Sequence, residues 1–130
     1  MQRTTLAWAS VVLLMAFALG SFVAHGLEDN VGPRSLHNWT TATHYQFYHG
    51  LALMGLAALE GRIGPKLFRA ARACFLLGIM LFCGSLYLLA LRGLLGMEGM
   101  AMVLGPITPL GGLLFMLGWA TLLWAALRKG

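Results

Sequence analysis

Apolar residues gather in four runs, at about residues 5–24, 43–59, 73–91 and 107–127, and the stretches between them hold most of the charge. A helix rises ~1.5 Å per residue and the hydrocarbon core of a bilayer is ~30 Å thick, so a run of ~20 apolar residues can cross it. The pattern predicts an all-α integral membrane protein, a four-transmembrane-helix bundle built as one membrane domain over residues 1–130. The second run is the odd one, because His44, Gln46 and His49 interrupt it.

Ahead of that run stand the turn formers Glu28, Asp29, Asn30 and Gly32, then Pro33, which suits the first helical position after a glycine cap. A helix from Pro33 to Leu59 would measure ~40 Å, more than the ~30 Å core. Its first third is therefore expected as a short external amphipathic helix before the second span. Leu36, Trp39 and Thr43 follow helical spacing there, and Trp39 suits the headgroup layer.

The first run could also be a secretory signal, since Arg3 precedes it and Gly20, Ser21 and Ala24 close it. It is long for a signal, lacks a clean cleavage triplet and leads into another membrane segment. It is therefore read as helix one.

Composition agrees with the pattern. Hydrophobic residues make up 59% of the chain and charged ones 10%, with mean hydropathy +0.79, where a soluble domain carries roughly 25% charged residues. The net charge of +5 is unevenly placed. Arg3, Arg62, Lys66, Arg69, Arg72, Arg128 and Lys129 fall on one side of the expected bundle, and Arg34 and Arg92 on the other. The positive-inside rule then puts both termini and the middle loop in the cytoplasm. The basic balance reflects topology and contact with anionic lipid, and no nucleic-acid partner is expected. Membrane lipids are the expected partners, with a homo-oligomer or another membrane protein left open.

Counting depth from the cytoplasmic edge, His49 lies about 15 Å in and Gln46 about 20 Å in; Ser85 on helix three is also about 20 Å in and Tyr87 slightly farther. Trp39, Ala42, Gln46 and His49 form one helical stripe, expected to face the bundle, while Phe47, Leu51 and Met54 fall toward lipid. Unsatisfied polar groups in hydrocarbon cost several kcal/mol, so Gln46, His49, Ser85 and Tyr87 are expected to meet as an intramembrane polar cluster. Its favoured role is interhelical glue. The alternative is a proton or small-solute path through His49, which the absence of an acidic residue from every expected span disfavours.

Small residues point to close helix contacts. Ala16, Gly20 and Ala24 recur every fourth position on helix one, and Gly111, Gly112 and Gly118 lie on helix four. The segment from Gly105 to Pro109, with Pro106 and Pro109, is not expected to be regular helix throughout. Cys74 and Cys83 stand about 13 Å apart along one helix and cannot bridge each other.

Metal and haem are further options. Met97, Met100 and Met102 offer soft thioethers suited to Cu(I), with His25 nearby, but no His or Cys pair at ligand spacing accompanies them. A bis-histidine haem would need histidines at matching depths, whereas His25 should sit ~15 Å shallower than His49. No cofactor is expected. Hydrolase and phosphate-loop motifs are absent, and an enzyme is not expected.

Four blocks carry a resemblance. They are Gly20-Ser21-Phe22-Val23-Ala24-His25-Gly26-Leu27, Tyr45-Gln46-Phe47-Tyr48-His49-Gly50-Leu51-Ala52-Leu53, Leu81-Phe82-Cys83-Gly84-Ser85-Leu86-Tyr87, and Gly105-Pro106-Ile107-Thr108-Pro109 continued through Gly111 and Gly112 to Trp119. In this order they resemble the YgdD-like family of small bacterial inner-membrane proteins, a domain of unknown function. The resemblance implies a bacterial inner-membrane location and motif positions at His25, Gln46, His49, Ser85, Thr108, Gly111 and Gly112. It implies no substrate, cofactor or catalytic residue. The external loop Met97–Val103 departs from the family pattern, which counts against copper as a family function. The expected function is a structural or interaction role in the membrane, with permeation through the polar stripe as the alternative.

Overall fold

The computed structural model describes residues 3–128 as four helices joined by short turns. Lys129, counted above among the basic residues, and Gly130 lie outside the described residues. Helix α1 covers Arg3–Phe22 and runs into a wide turn over Val23–Leu27, where Gly26 leaves helical geometry. Helix α2 covers Pro33–Ala58, α3 covers Pro65–Leu91, and α4 covers Ala101–Leu127 after a short tight turn over Glu98–Met100.

Proline starts both α2 and α3, each time after a glycine cap, as its fixed φ and missing N–H favour. The short external amphipathic helix expected before the second span does not stand as an element of its own. Helix α2 is continuous for 26 residues, and its first third is held by packing. Trp39, expected at the headgroup layer, is buried: its ring packs on Phe22 and Tyr87, and its indole N–H donates to the Leu19 carbonyl at 2.8 Å. Helix α3 starts eight residues before its apolar run, so its first turns carry Lys66, Arg69 and Arg72. Helix α4 begins at Ala101 and continues through Pro106 and Pro109, where a departure from helix was expected. Each proline removes one backbone bond, a loss that neighbouring helices and hydroxyl side chains can offset.

Helix α1 packs along α2, α2 along α3, and α3 along α4. The Arg72 guanidinium donates to the Thr5 hydroxyl at 3.2 Å, bringing the starts of α1 and α3 to one end of the bundle. Arg34, at the start of α2, and Arg92, just past α3, line one cavity at the opposite end together with Ala101 of α4. The helices therefore run up and down in turn. Thr5, Ala9, Val12 and Ala16 form the buried stripe of α1, which extends the expected small-residue contact toward the N-terminus; a Cβ on Gly20 would come within 3.1 Å of the Thr43 methyl, and the Ala24 side chain lies outside the described residues. The outward surfaces are rich in exposed Leu, Met, Phe and Trp, including Leu14, Phe17, Met80, Met116 and Trp124.

Helix α3 is not uniform. Ile79–Cys83 forms a π turn, which inserts an extra residue and swells the backbone. Opposite the swelling stands Gly111. A Cβ there would lie 2.3 Å from the Phe82 amide nitrogen and 2.7 Å from its Cα, so only glycine allows this approach. Gly78 and Gly118 make room for the rings of Phe115 and Phe75, which cross between α3 and α4 in opposite directions.

Candidate functional site

The stripe Trp39, Ala42, Gln46 and His49 is buried along the face of α2, with Thr43 beside it. Tyr48 and Leu51, on other faces, are exposed, while Phe47 is half-buried. Burying polar side chains in an apolar bundle requires partners, and each polar member has them.

Gln46 bridges three helices. Its amide nitrogen donates to the Val12 carbonyl of α1 at 2.9 Å, and its oxygen accepts the Tyr87 hydroxyl of α3 at 2.6 Å. The Tyr87 oxygen also lies 3.5 Å from the Thr43 hydroxyl, which itself donates to the Trp39 carbonyl at 3.0 Å. Sequence reasoning overlooked Thr43 as a member, although it lies three residues before Gln46 on the same face.

His49 does not meet Ser85. It turns toward α4, where its Nε2 lies 3.1 Å from Trp119 Nε1, while its Nδ1 lies 2.9 Å from the Tyr45 carbonyl one turn earlier. The indole nitrogen can only donate and a carbonyl can only accept, so the two contacts assign the tautomer: Nδ1 carries the hydrogen and Nε2 accepts. Both nitrogens of the neutral ring are thereby used. Phe115 stacks on the imidazole with centroids 3.6 Å apart at 10°, and Phe75, Trp119 and Tyr45 surround it at 5.6, 5.9 and 6.2 Å. Trp119 and Phe115 were missed from sequence. The available signal was their spacing of four on α4, interleaved with Gly111 and Gly118 at helical intervals.

Ser85 instead pairs with Thr108 of α4, with their hydroxyl oxygens 2.5 Å apart, and donates to the Phe82 carbonyl at 3.0 Å. The serine thus serves the swollen turn of α3. The sequence-predicted cluster is therefore three separate pairings at neighbouring levels: Gln46 with Tyr87, His49 with Trp119, and Ser85 with Thr108. Among the described residues no buried side-chain nitrogen or oxygen lacks a hydrogen-bond partner.

Of the remaining motif positions, His25 is exposed in the turn after α1, Gly111 is the close contact with Phe82, and a Cβ on Gly112 would meet the Phe82 ring only at ordinary distance, 3.7 Å. Met97 and Met100 are half-buried before α4, and Met102 is exposed on its first turn. Among the described residues no group of three or more His, Cys, Asp or Glu side chains converges on a cation position. Cys74 and Cys83 are both free thiols.

Three helices, α1, α3 and α4, are long and apolar enough to cross a bilayer. With the apolar exterior and the fully paired interior, they define an all-helical membrane protein. Residues 19–112 match the family described as "Protein of unknown function (DUF423)". The chain belongs to that family. It is 41% identical over 115 residues to a UPF0382 membrane protein of Staphylococcus epidermidis, covering 88% of each chain. It is 37% identical over 116 residues to the UPF0382 membrane protein YwdK of Bacillus subtilis, covering 88% of this chain and 89% of that one. A UPF0382 membrane protein of Haemophilus influenzae is 35% identical over 125 residues, 94% of each chain. No solved structure matches.

Proposed function

We propose that this chain is a four-span protein of the bacterial inner membrane, with both termini in the cytoplasm, whose role is structural or interactive and not catalytic. In this reading the polar stripe of α2 holds the bundle together. The observation that carries it is the His49 ring, where both nitrogens have partners in one tautomer and aromatic faces pack around it. A relay histidine needs a nitrogen free to take up or release a proton. Here a proton on Nε2 would oppose the indole N–H of Trp119.

The fourth span is supported by the length of α2, ~39 Å for its 26 residues, and by the paired state of its polar groups. The orientation is supported by Arg3, Arg62, Lys66, Arg69, Arg72 and Arg128, which belong to one end of the up-and-down bundle, against Arg34 and Arg92 at the other.

Purified wild type and His49→Leu, reconstituted in liposomes, test the role. The expected result is equal background leak of protons and small solutes in both, with a lower melting temperature for the variant. A wild-type flux that disappears in a variant of unchanged melting temperature would establish the permeation reading instead.

A further inference from the structure

The two basic residues that run against the charge asymmetry belong to one place. A cavity of about 500 Å³ opens at the end of the bundle opposite Arg72, between the start of α2, the end of α3 and the start of α4. Arg34 and Asn38, one turn apart on α2, line it with Arg92 and with Thr108. Leu86, Leu89 and Pro109 supply its apolar part.

Arg92 is half-buried and held at the rim by a bond from its Nη1 to the Leu89 carbonyl at 2.7 Å, which leaves the other guanidinium donors available. Arg34 is exposed on the first turn of α2. Among the described residues no carboxylate pairs with either group. Glu28, Asp29 and Glu98 stand in turns at this end, but none lines the cavity. Two cations facing one cavity repel each other unless an anion lies between them, and guanidinium forks match phosphate oxygens in pairs. The lining, with Arg34, Asn38 and Arg92 beside Leu86, Leu89 and Pro109, suits a group lying at the boundary between headgroups and acyl chains.

We propose that this cavity binds a phosphate group between Arg34 and Arg92, carried by an anionic phospholipid headgroup or arriving as the free ion. Asn38 supplies a neutral hydrogen bond beside it, while the Thr108 hydroxyl stays committed to Ser85. The site is separate from the pairings of His49 and Gln46, so it stands or falls independently of their role.

The test uses the full chain in uncharged detergent, with dihexanoyl-phosphatidylglycerol, dihexanoyl-phosphatidylcholine and inorganic phosphate as probes and binding read by native mass spectrometry. The expected result is that Arg34→Gln/Arg92→Gln weakens phosphatidylglycerol binding by roughly tenfold or more, the loss of at least one charge-assisted hydrogen bond. Phosphatidylcholine binding should be weak in both proteins. Arg62→Gln/Arg69→Gln, at the opposite end, should leave phosphatidylglycerol affinity unchanged. If inorganic phosphate displaces the lipid at comparable concentration, the ligand is the free ion; if it does not, the ligand is the lipid headgroup. Arg34→Glu alters only an exposed side chain and should abolish binding if the double variant does not fold. Unchanged phosphatidylglycerol affinity in the Arg34 and Arg92 variants, or an equal loss in the Arg62 and Arg69 control, would overturn the proposal.

Discussion

At the scale of single residues, the polar side chains of α2 act as interhelical ties, and each tie has a measurable strength. Interhelical hydrogen bonds in membranes contribute about 0.6 to 2 kcal/mol. A double-mutant cycle between Gln46→Leu and Tyr87→Phe should give a coupling in that range, read from unfolding in detergent. A coupling near zero would mean that the 2.6 Å contact contributes nothing to holding α2 on α3. Trp119→Phe keeps an aromatic ring but removes the donor to His49 Nε2 and part of the indole packing on Phe75, so it should destabilise the protein by at least that amount, whereas Trp124→Phe, at an exposed position, should be nearly silent. Helical spacing in the sequence was enough to put Trp39, Ala42, Gln46 and His49 on one face. It could not tell which neighbour each would meet. Depth counting brings His49 and Ser85 to similar heights, but height carries no direction around the helix axis, and the interhelical partners of both residues lie on α4.

At the scale of elements, the α3 and α4 contact depends on two deviations that fit each other. The π turn at Ile79–Cys83 swells α3, and Gly111 on α4 recedes to admit the Phe82 backbone. Gly111→Ala should therefore cost about 1 to 3 kcal/mol, the usual penalty for overpacking, because the obstructing atoms are main chain and cannot rotate away. Gly112→Ala should be neutral or slightly stabilising, since its added methyl meets only the Phe82 ring at ordinary distance and alanine favours helix. Equal losses at the two positions, measured by thermal unfolding, would show that the swelling is not the reason for the glycine. The sequence marks glycines on α4 as packing residues but gives no sign of the π turn, which has no composition of its own. Pro106 and Pro109 misled in the same region. Their local cost pointed to a break, and the packing of α4 against α3 sustains a helix through both.

At the scale of the whole molecule, α2 is the helix that differs from the other three. Three helices are apolar enough to cross a membrane without help; α2 owes its place to the partners that its polar groups find on α1, α3 and α4. The apolar runs made the other three helices legible, and the turn residues made the start of α2 legible. The sequence could not show that its first third packs inside the bundle, because an amphipathic stretch of that length satisfies a surface helix equally well. Cysteine accessibility in intact cells decides the matter most directly. In a background carrying Cys74→Ala and Cys83→Ala, Asp29→Cys before α2 and Glu60→Cys after it should lie on opposite sides. An impermeant maleimide should modify Asp29→Cys in intact cells and Glu60→Cys only after lysis. Modification of both positions from the same side would contradict a membrane-spanning α2, and with it the claim that polar pairing makes this helix the fourth span.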